Sequence, residues 1–445
     1  MTTTSPAADA PSFPDVVRTF GRIGLINFGG PAGQIALMHR VLVEEKRWIG
    51  EDAYLKALNF CTLLPGPEAQ QLATYVGWKL HGLRGGLAAG LLFIIPGAAI
   101  VLALSILYAY AAQLTWVQTA FVGVKAAVLA IVVEALIRVG KRALNSRVKV
   151  AAAALAFLAL FVFQLPFPLV IAAAALAGYL IGRARSDLLA LKATGAQAAA
   201  LSSEPRPWLS SLRTIAAWAA LWAAPLLLAL ALLGPDHVLV QIGLFFSKLA
   251  VVTFGGAYAV LSYMAQQAVD SGWLNPGEMA DGLGLAETTP GPLILVTQFV
   301  GFLAAFRAPA PFTPLLAGGL GALMTLWVTF APCFLWIFAA APFVERLQRA
   351  KAMQGALAMI TAAVVGVIAN LALWFGLHVL FRGFVHVQGG PVALDLPRLA
   401  TVSPEALGLT ALAVVLLFFL HRGVVTTLAV CAAAALGLGL LGIAG

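Results

Sequence analysis

Charge is what this 445-residue chain has least of. Asp, Glu, Lys and Arg together make up 10% of it, against 61% hydrophobic residues. With a mean hydropathy of +0.95, a soluble protein of this length could not solvate its surface, so the bulk of the chain belongs in lipid. The apolar–polar alternation that a membrane barrel needs is missing, which makes the spans helical. Cysteine is scarce too. Cys61, Cys333 and Cys431 stand apart in apolar segments, without disulfide or metal spacing, and read as inert thiols. No Gly-rich loop ends in Gly-Lys-Ser/Thr, so no P-loop ATP site is expected. No His/Cys/Asp cluster has ligand spacing and no nucleophile stands beside a base, so the expectation is no enzyme, no metal and no cofactor. The net charge of +9 sits in short loops between apolar runs, as cytoplasmic loops of membrane proteins do, and does not point to nucleic acid.

Apolar stretches that approach or exceed the roughly 20 residues of a helical span run over 85–114, 116–139, 150–164 with 166–181, 215–234, 315–340, 352–377, and the pair 406–420 and 424–443. The polar start, Met1–Ala10, has no basic residue and leads into no simple apolar run; it reads as a disordered tail and not as a signal peptide. Arg138, Lys141, Arg142, Arg147 and Lys149 follow the second long span with no acid among them, which assigns that loop to the cytoplasm. The uncharged turn 164–168 then lies outside, and Arg183, Arg185 and Lys192 bring the chain back inside. Residues 197–211 form an Ala/Ser/Pro-rich linker. The span 215–234 has no counterpart elsewhere in the chain, and an unpaired crossing turns whatever follows it upside down. The basic cluster Arg346, Arg349 and Lys351 agrees with that inversion: the matching loop of the first half, 111–115, carries no charge.

The helix breakers themselves are repeated. Asn27-Phe28-Gly29-Gly30-Pro31 returns at a shift of 226 as Thr253-Phe254-Gly255-Gly256-Ala257. Leu64-Pro65-Gly66-Pro67 returns at a shift of 225 as Thr289-Pro290-Gly291-Pro292, and Trp48 and Trp273 match between the two phrases. Paired breaks at equivalent points of two halves are the sequence mark of a transport site. The expected fold is therefore all-α: a polytopic transmembrane helical bundle of two inverted repeats with broken, re-entrant half-helices. The expected division is a tail over 1–12, a first repeat over 13–183, a basic linker with an unpaired span over 184–235, and a second, inverted repeat over 236–445. The N-terminus is expected in the cytoplasm and the C-terminus in the periplasm.

Residues 51–64 and 67–80 are about 21 Å long each as helix, too short for a hydrocarbon core of about 30 Å. A hairpin of half-helices turning at Pro65-Gly66-Pro67 solves this, with its irregular backbone lining a cavity. Each break exposes the N-terminus of the helix that follows, where free N–H groups and the positive dipole end favour an anion. A single Pro-Gly-Pro turn could merely cap a packed helix; its duplication favours a site. The substrate-binding candidates are Asn27, Gly29, Gly30, Pro31, Gly66, Pro67, Thr253, Gly255, Gly256, Thr289 and Gly291, with Gln70 and Gln71 offering amide hydrogens. Arg22 and Lys248 each stand six residues before the Phe-Gly-Gly phrase and are candidates for countercharge, arginine having a fork that suits a tetrahedral oxyanion. Snorkelling to an interface is the alternative for both. Glu68 and Glu287 are candidates for proton coupling. Lys125, Glu134 and Arg138 share one helix and read as structural pairs, and His39 and His81 as solvated groups near loop ends.

Phe28-Gly29-Gly30-Pro31-Ala32-Gly33-Gln34-Ile35-Ala36-Leu37-Met38, then Trp48, then Leu63-Leu64-Pro65-Gly66-Pro67 and Gln71-Leu72-Ala73, resembles the chromate ion transporter family. Residues 254–261 and Ala286-Glu287-Thr288-Thr289-Pro290-Gly291-Pro292 are similar to its second repeat, so the resemblance covers nearly the whole chain in the long, two-domain form. It implies a bacterial inner-membrane protein that expels chromate from the cytoplasm and confers chromate resistance. Chromate mimics sulfate as a tetrahedral dianion, so the inferred anion site fits. Ala257 stands where the first repeat has Pro31, so the two breaks need not be equivalent. A sulfate or other oxyanion transporter or exchanger is the first alternative; a channel and a non-transport membrane scaffold are others. Membrane lipid and a second copy in a homodimer are the remaining expected partners.

Overall fold

The structure is a computed structural model described over residues 11–28, 30–190, 208–254, 257–340, 350–389 and 392–442. Gly29, Gly255, Gly256, Lys192, Arg346, Arg349, the 1–10 tail and residues 197–207 of the linker lie outside the described residues.

Helices follow one another in an order that occurs twice. The first half contains α1 (Phe13–Ile26), α2 (Gly30–His39), α3 (Glu51–Cys61), α4 (Glu68–Ala111), α5 (Thr115–Ala143), α6 (Arg147–Phe161) and α7 (Phe167–Ala184). After α8 (Trp208–Leu233) come α9 (Val238–Val252), α10 (Ala257–Asp270), α11 (Pro276–Thr288), α12 (Val296–Arg307), α13 (Pro314–Ala340), α14 (Lys351–Leu380), α15 (Pro404–Val414) and α16 (Val424–Leu440). Non-helical backbone at His81 and Gly82 breaks α4 into two arms, so 68–80 and 83–111 correspond to α12 and α13. Six helices among the described residues are long and apolar enough to cross a membrane: α4, α5, α7, α8, α13 and α14. The chain is an all-α polytopic membrane bundle, and the expected spans all emerge as helices.

Local sequence accounts for the ends. Ser12 caps α1, accepting from the Asp15 N–H at 3.3 Å, with proline in the first turn. Asn275 and Glu278 form a capping box at the start of α11. At each reversal a histidine ties the turn to the first helix of its half. His81 Nε2 lies 2.7 Å from the Pro11 carbonyl oxygen, and His237 Nε2 lies 2.8 Å from that of Ala310, in the α12–α13 turn.

Burial against neighbours gains no water-to-oil transfer energy inside a bilayer, so close backbone packing and interhelical hydrogen bonds must hold the bundle. The two arms of α4 meet glycine to glycine. A methyl group on Gly77 would sit 2.3 Å from the Gly85 carbonyl oxygen, and one on Gly85 would sit 2.2 Å from that of Gly77. Gly301 of α12 and Gly321 of α13 make the same reciprocal contact. Gly86 and Gly90 lie against Phe338 and Phe334 of α13.

The halves are intertwined. The long helix α5 packs against α15 and α16 of the second half, while α14 packs against α6 and α7 of the first. Gly123 meets the Cys431 carbonyl in one exchange, and Gly178 meets Gly355 in the other. The unpaired α8 stays at the periphery. Trp218 stacks on Phe334 at 5.7 Å, and the Trp327 indole N–H donates to the Leu221 carbonyl at 3.0 Å.

One element departs from the expected all-helical chain. Strands β1 (Phe384–Gly389) and β2 (Val392–Pro397) form an antiparallel hairpin after α14, with Phe384 opposite Pro397 and Gly389 opposite Val392.

Candidate functional site

The four breaks meet in crossed pairs. At the end of α1, Asn27 turns the chain (φ −83°, ψ 65°), and Phe28 N–H donates to the Ile26 carbonyl at 3.0 Å. At the end of α9, Thr253 does the same (φ −78°, ψ 89°), with Phe254 N–H on the Val252 carbonyl at 3.1 Å. Both are tight three-residue turns of the inverse γ kind. At the other two breaks Gly66 has φ +121° and Gly291 has φ +106°, a region in which only glycine sits without strain. Each glycine binds the turn of the opposite half. Gly66 N–H donates to the Thr253 carbonyl at 2.8 Å, and Gly291 N–H donates to the Asn27 carbonyl at 3.3 Å.

Side chains strengthen the second crossing. Asn27 Oδ1 also accepts from Gly291 N–H at 2.6 Å. The Gln34 amide donates to the Asn27 carbonyl at 3.2 Å and to the Gly291 carbonyl at 2.5 Å. On the first crossing Gln71 donates to the Pro65 carbonyl of its own turn at 2.7 Å.

Proline-bearing helices back both crossings. Pro96 lies inside α4 and Pro332 inside α13, where each leaves the carbonyl four residues earlier without its helical donor. Gly24 of α1 packs directly on that carbonyl of Leu92. The residues after the prolines face the opposite half's turn. A methyl on Gly97 would lie 2.2 Å from the Pro290 carbonyl oxygen, and Cys333 Sγ would lie 2.8 Å from a methyl on Gly66. Gln298 of α12 joins the knot by donating to the Ala98 carbonyl at 3.1 Å.

Buried polar atoms remain without hydrogen-bond partners here. They are Asn27 Nδ2, Gln70 Oε1, Gln71 Oε1, Gln298 Oε1 and Thr329 Oγ1. Buried polar groups are nearly always paired, and leaving one unpaired costs about 1–3 kcal/mol. Five in a small region mark a place built to meet something polar.

Of the residues selected from sequence, Asn27, Gly66, Gln70, Gln71, Thr253, Thr289 and Gly291 are buried, and Asn27, Gly66, Thr253 and Gly291 bond directly to one another. Gly30 (φ +67°) opens α2, with Pro31 in its first turn. Pro67 precedes α4, and Glu68, partly exposed, occupies that helix's first turn. Glu287 is buried near the end of α11. Arg22 and Lys248 are not brought into the knot. The buried stripe of α1 is Val16, Thr19, Phe20, Ile23 and Gly24, which leaves Arg22 on the exposed side with Arg18 and Leu25. Lys248 is exposed as well, its Nζ 5.9 Å from the centre of the Tyr263 ring.

A second polar centre joins the halves beside the knot. Tyr108 of α4 donates to Asp281 Oδ2 at 2.7 Å, and Lys125 Nζ of α5 lies 3.3 Å from Asp281 Oδ1. Arg307 grips Glu278 with both guanidinium nitrogens and donates to the Trp273 carbonyl at 2.9 Å. Glu134 and Arg138 pair one helical turn apart at 2.6 Å, while His39 sits between Glu44 and Glu51. Sequence reasoning passed over Gln298, Thr329 and Asp281, read Cys333 only as an inert thiol, and named Gln34 in the family motif without choosing it as a site residue. Pro96-Gly97 and Pro332-Cys333 carried a usable signal, a proline inside a long span in both halves.

Comparison with known proteins adds the family. A sequence profile described as "Chromate transporter" matches residues 14–179 and 240–438, and the stretch between these segments contains α8. The "Chromate transport protein" of Pseudomonas aeruginosa is 34% identical over 379 residues, 82% of this chain and 82% of its own. The "Probable chromate transport protein" of Synechococcus elongatus is 29% identical over 366 residues, 82% of this chain and 85% of its own. The "Chromate transport protein" of Cupriavidus metallidurans is 29% identical over 359 residues, 80% and 81% of the two chains. No solved structure matches. The duplicated breaks, the multi-pass helical bundle and the profile match through both halves lead to one conclusion: the chain belongs to the chromate transporter family, whose members are membrane transporters and not enzymes.

Proposed function

We propose that this protein carries chromate out of the cytoplasm across a bacterial inner membrane, by alternating access between two inverted halves, and so confers chromate resistance. The substrate comes from the relatives' names. The observation that carries the reading is the crossed pairing of the breaks around buried polar atoms that lack partners. A dianion entering between the crossings would meet the Asn27 amide N–H and the Thr329 hydroxyl as donors. It would also meet glutamine amides able to turn their NH₂ groups toward it, and the N-termini of α4 and α12. Gly30, Pro31, Pro67 and Thr289 complete the proposed cradle.

The inverted relation is supported by contacts at the two ends of α4's second arm, which is roughly 43 Å long. His81, just before its start, holds the first half's reversal. Tyr110, near its end, meets Phe306 at 5.6 Å, beside the reversal of the second half. Equivalent turns of the two halves thus approach opposite ends of one helix. The exposed Arg22 and Lys248 fit a role where the anion approaches. A cation directed at hydrocarbon is costly, so those faces of α1 and α9 border water or headgroups. Glu68 and Glu287 remain the proposed proton-coupling groups.

Chromate accumulation in energised inside-out vesicles, with and without excess sulfate, tests the proposal. Sulfate-sensitive accumulation that falls at least tenfold in Arg22→Ala and Lys248→Ala is the expected result. Normal accumulation in both correctly inserted variants would remove the countercharge role. Chromate uptake no higher than in protein-free vesicles, with sulfate moving instead, would replace chromate by sulfate as cargo.

A further inference from the structure

The unpartnered atoms at the crossed breaks are of two kinds, and each crossing has both. Beside Gly291 the donor is Asn27 Nδ2 and the acceptor is Gln298 Oε1, whose side chain reaches the carbonyl of Ala98, next to the Gly97 that touches Pro290 and Gly291. Beside Gly66 the donor is the Thr329 hydroxyl, one turn before Cys333, and the acceptor is Gln71 Oε1. All four side chains are buried.

The two glutamine oxygens are acceptors by necessity. A carbonyl can only accept, so the Gln71 group 2.7 Å from the Pro65 carbonyl is its NH₂, and so is the Gln298 group 3.1 Å from the Ala98 carbonyl. Oε1 of each amide therefore points the other way. Turning either amide to offer NH₂ to a ligand would set oxygen against oxygen and lose the bond already made. Gln70 allows no such assignment, because its partner is the Thr74 hydroxyl, which both donates and accepts.

These needs narrow the ligand. A dianion only accepts, so it would satisfy Asn27 and Thr329 and press its charge on the glutamine oxygens. A bare cation would satisfy the oxygens and repel the N–H. Water does both, but cargo that displaces water without reproducing its hydrogen bonds loses affinity. A tetrahedral oxyanion that keeps one proton has oxygens for Asn27 or Thr329 and an O–H for a glutamine. Its single charge also suits a knot that neither Arg22 nor Lys248 enters.

We propose that the anion held at the crossed breaks is the singly protonated form, with Gln71 and Gln298 recognising its O–H. The inference rests on the oxyanion reading above and changes one thing in it, the proton count. It also gives the site a means of telling chromate from sulfate, which match in shape and charge and differ in basicity. Hydrogen chromate is abundant near neutral pH, whereas hydrogen sulfate forms only in strong acid. Sulfate then competes only in excess.

Equilibrium binding of dilute radiolabelled chromate to the full-length protein in detergent, measured against pH at constant ionic strength, tests this. Affinity should stay level up to the pH at which hydrogen chromate ionises, and fall about tenfold per unit above it. Displacement by sulfate, ionised throughout, should show no level stretch. The protein's own titratable groups nearest the breaks are Glu68 of α4, Glu287 of α11 and the Cys333 thiol of α13, with Arg22 and Lys248 on exposed faces of α1 and α9. Titration of any of these would bend both anions' profiles at one pH, and that result would overturn the proposal. So would chromate affinity that is level throughout, while the oxyanion reading stood. No chromate binding at any pH would overturn both. The Gln71→Met/Gln298→Met variant keeps the volume without the acceptors, and its fall in affinity per pH unit should shrink to less than half. An undiminished fall would remove the glutamines' role, and the wild-type profile decides the proton count even if the variant does not fold.

Discussion

The two crossings are made of the same parts and are not held alike. Where Gly66 meets Thr253, one interhalf backbone hydrogen bond joins them, Pro65 and Pro67 are only partly buried, and a flexible thiol backs the turn. Where Gly291 meets Asn27, the backbone bond is reinforced by the Asn27 and Gln34 side chains, residues 289–305 are all buried, and the backbone of Gly97 backs the turn. The flanking helices differ in the same sense. The side-chain contact at the start of α3 is His39–Glu51, on the surface, whereas α11 is fastened by the buried Asp281 to Tyr108 and Lys125. Under the proposed alternating access, the more strongly held second crossing would serve as the anchor and the first as the movable partner.

Breaking the anchor should have the largest effect. Lys125→Ala leaves Asp281 buried without its countercharge, a loss of about 3–5 kcal/mol for a fully buried pair; with Lys125 a quarter exposed, the lower end is expected. Glu51→Ala in the movable half should cost no more than about 1 kcal/mol. Thermal unfolding of the two purified variants makes the comparison, and equal losses would remove the distinction.

The helices behind the crossings come next. Gly97→Ala drives a methyl into the Pro290 carbonyl and should destabilise by about 1–3 kcal/mol, as overpacking does. Cys333→Ala, at the equivalent place behind Gly66, removes a soft contact and is expected to cost about 1 kcal/mol. Thermal unfolding ranks them, and a greater loss for Cys333→Ala would reverse the assignment of anchor and partner.

The smallest contrast lies in the turns themselves. Asn27→Ala loses the side-chain bond to Gly291, worth about 0.5–1.5 kcal/mol. Thr253→Ala removes only a hydroxyl bonded to Leu249 four residues back in its own helix, and because such a back-bond adds little to helix stability its loss should be the smaller of the two. Urea titration should resolve the difference.

Much of this was legible beforehand, and the limits have physical causes. Long apolar runs and duplicated Gly/Pro phrases are local signals, so spans, breaks and half-helices could be read directly. Which break pairs with which could not, because the crossing bonds join backbone groups more than 180 positions apart and backbone groups carry no residue signature. The exchange of α5 and α14 between halves was hidden for the same reason, being made by small residues against backbone. The exposure of Arg22 was available: the 3.6-residue period sets it with Arg18 and Leu25, opposite the Phe20–Ile23 stripe. The hairpin was available as well, since Val385 and Val387 alternate before Gly389-Gly390-Pro391, a turn signal overshadowed by the surrounding helices.

The central claim is that an oxyanion binds at the crossed breaks through the Asn27 amide. Asn27→Asp keeps the oxygen that accepts from Gly291 and replaces the unpaired N–H₂ with a second carboxylate oxygen. Equilibrium binding of radiolabelled chromate to the purified wild type and this variant, each confirmed folded by its Tm, tests the claim most directly. The account predicts at least tenfold weaker binding in the variant, about 1.4 kcal/mol; unchanged affinity in a folded variant would contradict it.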